Sequence, residues 1–249
     1  MPYFTVKNIR LFYNERGKGV PLIMLHDNGG SSKMLKTEIR YYSKHFRVIA
    51  FDLPGHGRSD RIHDFEGDFW QYSAFIIKKA LVELDITDTN IMGTSGGAIV
   101  GFHLALDQDI NCRALIADSF EGLALPPERA KQKMEQRSRT IKINFFRMFF
   151  QYLHGKDWQE VLRSDANNQL HFAEHKTVWF DSLEELNCKV LLTALTNDNM
   201  IPRAAEKVKL VHDLLPNSRL HLFDKGKHPA MLSNKKKYRK LVCDFCCKQ

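Results

Sequence analysis

The sequence predicts an α/β fold, a mostly parallel sheet of roughly eight strands flanked by helices and interrupted by a helical insertion. Three observations carry that expectation. Short apolar, β-branched runs recur along the chain with helix-like segments between them, the pattern of strands buried on both faces. Gly93-Thr94-Ser95-Gly96-Gly97 joins one such run to a helix-like stretch, so a strand must turn abruptly into a helix there. Between Phe120 and Leu186 the alternation stops, and the chain reads as helices rich in charged and aromatic residues.

In chain order, Tyr3 to Val6 and Ile9 to Asn14 read as antiparallel strands closing one edge of the sheet. Val20 to His26, Phe46 to Asp52, Thr89 to Met92, Arg113 to Asp118, Lys189 to Thr196 and Arg219 to Phe223 follow as strands, each short and apolar. Phe69 to Leu84, Ala98 to Leu106, Ala204 to Leu214 and Ala230 to Phe245 are the expected helices. The chain thus divides into a core of residues 1–119 and 187–249 and a helical cap of residues 120–186. An insertion at that point would sit above the carboxyl ends of the strands, where open α/β sheets bind ligands. Within it, Ile141 to Phe150 is more apolar than a solvent-facing helix needs, so it either lines a substrate pocket or packs on the core.

A length of 249 residues, 43% of them hydrophobic and 27% charged, favours one large globular domain. Met1 to Lys7 lacks the apolar core of an export signal and no segment has the apolar length of a membrane span, so a cytoplasmic protein is expected. The cysteines Cys112, Cys188, Cys243, Cys246 and Cys247 are odd in number and are expected to be reduced thiols. The cluster from Cys243 to Cys247 lacks further ligands at metal spacing, so no metal is expected. The net charge of +8 and the run Lys235 to Lys240 raise nucleic acid or a membrane surface as partners. Those lysines alternate with Leu232, Leu241, Val242 and Phe245, however, and read as the solvated face of an amphipathic helix, so neither partner is expected. A monomer is the default, and a homodimer follows if the aromatic insertion buries itself against a second copy.

A strand-to-helix turn presents its apical residue outward, which is how a nucleophile is offered to a substrate, and Ser95 occupies that apex. A serine hydroxyl needs a base within hydrogen-bond reach and a carboxylate that orients the base. His228, in Lys225-Gly226-Lys227-His228-Pro229, and Asp198, in the loop Thr196 to Pro202, both follow predicted strands, as Ser95 does. Asp118, after Leu115-Ile116-Ala117, is a rival for the acid, whereas Asp52 closes its own strand and is expected to anchor a neighbouring loop. Of the other histidines, His26 and His56 are expected to bond backbone in turns, and His63, His103, His154, His171, His175, His212 and His221 have no motif around them.

With nucleophile, acid and base in that order, the chain resembles the α/β-hydrolase superfamily over nearly its whole length apart from the insertion. Leu25-His26-Asp27-Asn28-Gly29-Gly30-Ser31 resembles the family's oxyanion loop, and Phe51 to Asp60 its loop after the next strand. The resemblance implies a cofactor-free hydrolase in which Ser95 attacks a carbonyl, His228 moves the proton and Asp198 orients the imidazole. It also implies an oxyanion hole from the N–H of Gly96 and a second N–H from Asn28 or, failing that, Asp27. Asp27 departs from the family's glycine, and its carboxylate, if turned inward, would oppose a negative intermediate. The expected substrate is a small-molecule carboxylic ester of small or medium size, cleaved through an acyl-enzyme. The alternatives are a thioester, lactone, amide or carbon–carbon bond beside a ketone, or a ligand-binding sensor that has lost turnover.

Overall fold

The structure, a computed structural model, describes residues 3–62 and 67–247, so that His63 lies outside the described residues. Its centre is an eight-stranded sheet in the order β1-β2-β4-β3-β5-β6-β7-β8. The strands are β1 (Tyr3–Val6), β2 (Ile9–Arg16), β3 (Pro21–Leu25), β4 (Arg47–Phe51), β5 (Asp88–Thr94), β6 (Asn111–Asp118), β7 (Lys189–Leu195) and β8 (Ser218–Phe223). β1 and β2 pair antiparallel, as do β2 and β4, and every pairing from β4 through β8 is parallel. The period of two decides which face each side chain covers. Ile23, Leu25, Ile49, Phe51 and Ile91 pack on one side, while Leu22, Met24, Val48, Ala50 and Met92 pack on the other. Both faces are therefore apolar, which is why these strands read as continuous hydrophobic runs.

The helices of the first face are α2 (Phe69–Glu83), α3 (Gly96–Ala105) and α7 (Ala204–Leu214). Asp68 starts α2 by accepting the Gln71 N–H at 2.7 Å. The second face is covered by α1 (Lys36–Tyr42), α8 (Ala230–Ser233) and α9 (Lys235–Cys247). Two of these differ from expectation. The short α1 was not anticipated, since seven residues carry too little period to be seen. The single helix expected from Ala230 to Phe245 is split at Asn234, whose backbone leaves the helical region at φ −117° and ψ 31° while its side-chain amide donates to the Lys225 carbonyl at 2.8 Å. Along α9 the lysines at 235, 236, 237 and 240 are exposed while Tyr238 and Val242 are buried, and Arg239 bonds both carboxylate oxygens of Glu38 at 2.8 Å.

Between β6 and β7 the chain forms α4 (Pro127–Thr140), α5 (Asn144–His154) and α6 (Trp158–His175). Pro127 sits in the first turn of α4, where its fixed φ suits the helix and its missing N–H costs nothing. The two ends of the segment are laced together by the Leu125 N–H on the Thr177 carbonyl at 2.8 Å and the Trp179 N–H on the Leu123 carbonyl at 3.0 Å. Among the described residues no helix is long and apolar enough to cross a membrane.

Candidate active site

Ser95 stands between β5 and α3 with φ 51° and ψ −119°, a left-handed conformation that costs a non-glycine residue about 1–3 kcal/mol. The surroundings enforce it. Its N–H donates to the Asp118 carbonyl at 2.8 Å, and its own carbonyl accepts the Ala98 N–H at 3.0 Å. A Cβ on Gly93 would lie 2.1 Å from the Gly97 carbonyl oxygen, and one on Gly97 would lie 2.4 Å from that of His26. Only glycine at both positions lets β5, β3 and α3 approach closely enough to hold the turn.

Asp198 and His228 come from the loops after β7 and β8. Asp198 Oδ2 lies 3.0 Å from His228 Nδ1, and Oδ1 accepts the N–H groups of Met200 and Ile201 at 2.7 and 2.9 Å. Burial works to raise the pKa of this carboxyl. The bond to His228, its charge and the two backbone donors outweigh burial and hold the pKa below the usual range. The His228 N–H donates to Asn199 Oδ1 at 2.8 Å, so the two loops are locked to each other. With its Nδ1 proton directed at a carboxylate, the ring keeps Nε2 as its acceptor.

The rival Asp118 is fully buried at the end of β6 and serves the frame. Its carboxylate accepts from Thr193 Oγ1 at 2.7 Å and from the Met231 N–H at 2.9 Å, joining β6 to β7 and α8. Burial raises its pKa to about 6. Asp52 accepts the Ser32 and Arg58 N–H groups at 2.7 and 2.9 Å, tying two loops to the end of β4.

His26 is neutral and structural: its Nε2 accepts the Leu53 N–H at 2.9 Å, its Nδ1 faces the Asp27 carbonyl at 2.8 Å, and burial lowers its pKa to about 4. Asp27 finds the space that its position in the loop seemed to deny. Its Oδ1 lies 2.1 Å from where a Gly30 Cβ would be, so Gly30 makes room for it. That oxygen is buried without a hydrogen-bond partner, and burial raises the pKa of the carboxyl. Asn28 Oδ1 accepts the Trp70 indole N–H at 3.2 Å and occupies the place where a Cβ on Gly96 would stand, 2.0 Å away. Trp70 is held in turn by edge-to-face contact with Phe172 of α6, at 5.4 Å between ring centres.

Ser95, His228, Asp27 and Asn28 all line one cavity of about 220 Å³. Its opposite wall is one face of α4, formed by Arg129, Lys133, Gln136, Arg137 and Thr140, together with Phe146, Phe149 and Phe150. The run Ile141 to Phe150 is therefore split by its own helical period. Three phenylalanines turn inward, while Phe145 and Met148 are each 71% exposed. The basic residues of this wall were missed by sequence reasoning, although their spacing of four along a helix was the available signal. His154 was missed too. Its Nδ1 accepts the Gly57 N–H at 3.0 Å and its Nε2 faces the Gly29 carbonyl at 2.9 Å, stitching α5 to two loops of the core. Burial lowers its pKa to about 3.

A sheet of this order carrying a strained serine at the β5–α3 turn defines a class. The family model of the alpha/beta hydrolase fold matches residues 20–147, just over half of the chain, and the chain belongs to that family. It is 25% identical to a proline iminopeptidase of Heyndrickxia coagulans, covering 94% of this chain and 92% of that protein. It is 24% identical to a 2-hydroxy-6-oxononadienedioate/2-hydroxy-6-oxononatrienedioate hydrolase of Cupriavidus pinatubonensis, over 98% of this chain and 94% of the other. Among solved structures, an esterase from Exiguobacterium antarcticum superposes with a TM-score of 0.79 at 19% identity, over 98% of both chains.

Proposed function

We propose that this protein is a serine hydrolase that cleaves small or medium carboxylic esters through an acyl-enzyme. The observation that carries the reading is the 3.0 Å contact between His228 Nδ1 and Asp198 Oδ2, with His228 lining the same cavity as the strained Ser95. Ser95 Oγ attacks the ester carbonyl and passes its proton to His228 Nε2. The oxyanion is held by the N–H groups of Gly96 and Asn28, and its collapse expels the alcohol, which takes the proton from His228. Water, deprotonated by His228, then attacks the acyl-enzyme and releases the acid, with Ser95 Oγ recovering the proton.

Asp198 keeps the Nδ1 tautomer and stabilises the imidazolium that forms at each step. No step calls for a metal or a cofactor. The helices α4, α5 and α6 act as a cap that excludes water from the acyl-enzyme. The cavity of about 220 Å³ has room for roughly seven water-sized volumes of ~30 Å³, which suits a short acyl chain. The esterase named above has the same fold, in keeping with this reading. Fluorophosphonate labelling tests it: the wild type takes up the probe and turns over 4-nitrophenyl butyrate, and Ser95→Ala does neither. Equal labelling of the two proteins would refute the assignment of the nucleophile.

A further inference from the structure

The wall of the cavity facing Ser95 carries more positive charge than its own carboxylates absorb. Arg129, Lys133 and Arg137 recur every fourth residue on α4, and all three line the cavity. Two of them are occupied. Arg129 bonds Glu121 at 2.9 Å and also the Met200 carbonyl, and Glu121 is claimed again by Lys207 at 2.5 Å. Arg137 pairs with the buried Asp165 and reaches the carbonyls of Leu162 and Asn28 at 3.4 Å each.

Lys133 differs from both. It stands 3.7 Å from Glu121, too far for a hydrogen bond, with its side chain only 19% exposed. Four cations thus face two carboxylates in this cluster. Burial holds the Lys133 ammonium below its usual pKa, with Arg129 and Arg137 pushing the same way against Glu121. Asp27, the acid that lines the cavity, has His228 and Arg137 as its leading charge neighbours and turns Oδ1 towards Gly30. It offers no compensation at the Lys133 end. A half-partnered ammonium beside a wall of Phe146, Phe149 and Phe150 is suited to a ligand with an apolar stem and an anionic end.

Resting on the hydrolase reading of the Ser95 cavity, we infer that the substrate is an ester carrying a carboxylate remote from the scissile bond, and that Lys133 is the residue that selects it. The carboxylate approaches Lys133 Nζ as a charge-assisted hydrogen-bond acceptor while the stem lies along the three phenylalanines.

The test compares two ester pairs that differ only in whether a carboxylate is free or methylated. One pair is 4-nitrophenyl hydrogen adipate against 4-nitrophenyl methyl adipate, with the charge on the acyl side. The other is 4-carboxyphenyl butyrate against 4-(methoxycarbonyl)phenyl butyrate, with the charge on the leaving group. In at least one pair, kcat/KM of the wild type favours the free carboxylate by about tenfold or more, Lys133→Met reduces that ratio to about one, and Lys133→Arg keeps it. Ratios near one for both wild-type pairs, or a preference that survives Lys133→Met, would overturn the inference. Should Lys133→Met not fold, Lys133→Gln serves the same comparison.

Calorimetric titration with adipate itself separates this idea from the hydrolase reading, because it needs no turnover. Binding that weakens by about tenfold in Lys133→Met supports the anionic subsite even if no ester is hydrolysed, and equal binding to both proteins refutes it.

Discussion

Replacing Gly96 by alanine separates the rate of the reaction from the stability of the fold. The new Cβ would stand 2.0 Å from Asn28 Oδ1, 2.4 Å from Cγ and 2.8 Å from Nδ2. Ordinary contact begins near 3.4 Å, so the Asn28 side chain must retreat by more than an ångström. Its bond to the Trp70 indole, at 3.2 Å, is then lost. That bond is worth about 1 kcal/mol, which for a chain of this size lowers Tm by about 2–4 °C. The rate suffers more, because the Asn28 backbone is the proposed second donor to the oxyanion, and misplacing one such donor costs about 10²- to 10³-fold in kcat.

The assay is initial-rate hydrolysis of 4-nitrophenyl butyrate beside a thermal melt of the same preparation. Asn28→Ala removes all three atoms that the new Cβ meets while keeping the backbone N–H, so the Gly96→Ala/Asn28→Ala pair regains most of the lost rate. Gly96→Ala with kcat within about threefold of wild type would refute the assignment of the Asn28 loop to the oxyanion. So would a double variant that recovers nothing.

Asp198→Asn preserves shape but lets Nδ1 of His228 lose its anionic partner, and it lowers kcat by about 10³- to 10⁴-fold at little cost in Tm, whereas a loss under about tenfold would mean that another carboxylate orients the ring. Stability also depends on pH. His26, His103 and His154 have pKa values lowered to about 4, about 4 and about 3, so below about pH 6.5 unfolding takes up a proton at each, while Asp118, raised to about 6, releases one between about pH 4 and 6 and Asp27, also raised by burial, works in the same direction as Asp118. The histidine contribution is therefore full above pH 6.5 and lost on acidification. Three histidines outweigh the two raised carboxyls, so acidification destabilises the fold, by about 1.4 kcal/mol per pH unit for each proton of net uptake, and a Tm that is flat or rising on acidification from pH 6.5 to 5 would contradict it.

The sheet was legible because its strands are buried on both faces. Pro21 to Leu25, Arg47 to Phe51 and Lys189 to Leu195 each form an apolar run with polar sequence on either side, and such runs have few other uses in a chain of this composition. The placing of Ser95, Asp198 and His228 at one end of the sheet was legible for a related reason, since each lies in the turn or loop that follows a parallel strand. What escaped notice depends on orientation. Arg129, Lys133 and Arg137 look like an ordinary solvated helix face until the fold turns that face towards Ser95. His154 is one histidine among 11, and only the meeting of α5 with Gly29 and Gly57 gives it partners. The break at Asn234 is a single departure of the backbone, at φ −117° and ψ 31°, in a stretch with no glycine or proline to mark it.

The order of the strands also bears on how the chain acquires its shape. Ala114 to Asp118 of β6 pairs with Lys189 to Thr193 of β7, so the chain must make a seventy-residue excursion through three helices before that seam can close. Joining ends so far apart is entropically slow, and until it happens β6 is a bare apolar margin on which another strand can grow. A refolding chain caught at that stage already holds β3, β5 and the serine bend, yet the imidazole and its carboxylate are still adrift on the unjoined remainder. Recovery of activity should lag recovery of helical circular dichroism, and aggregation in that interval should be the main loss.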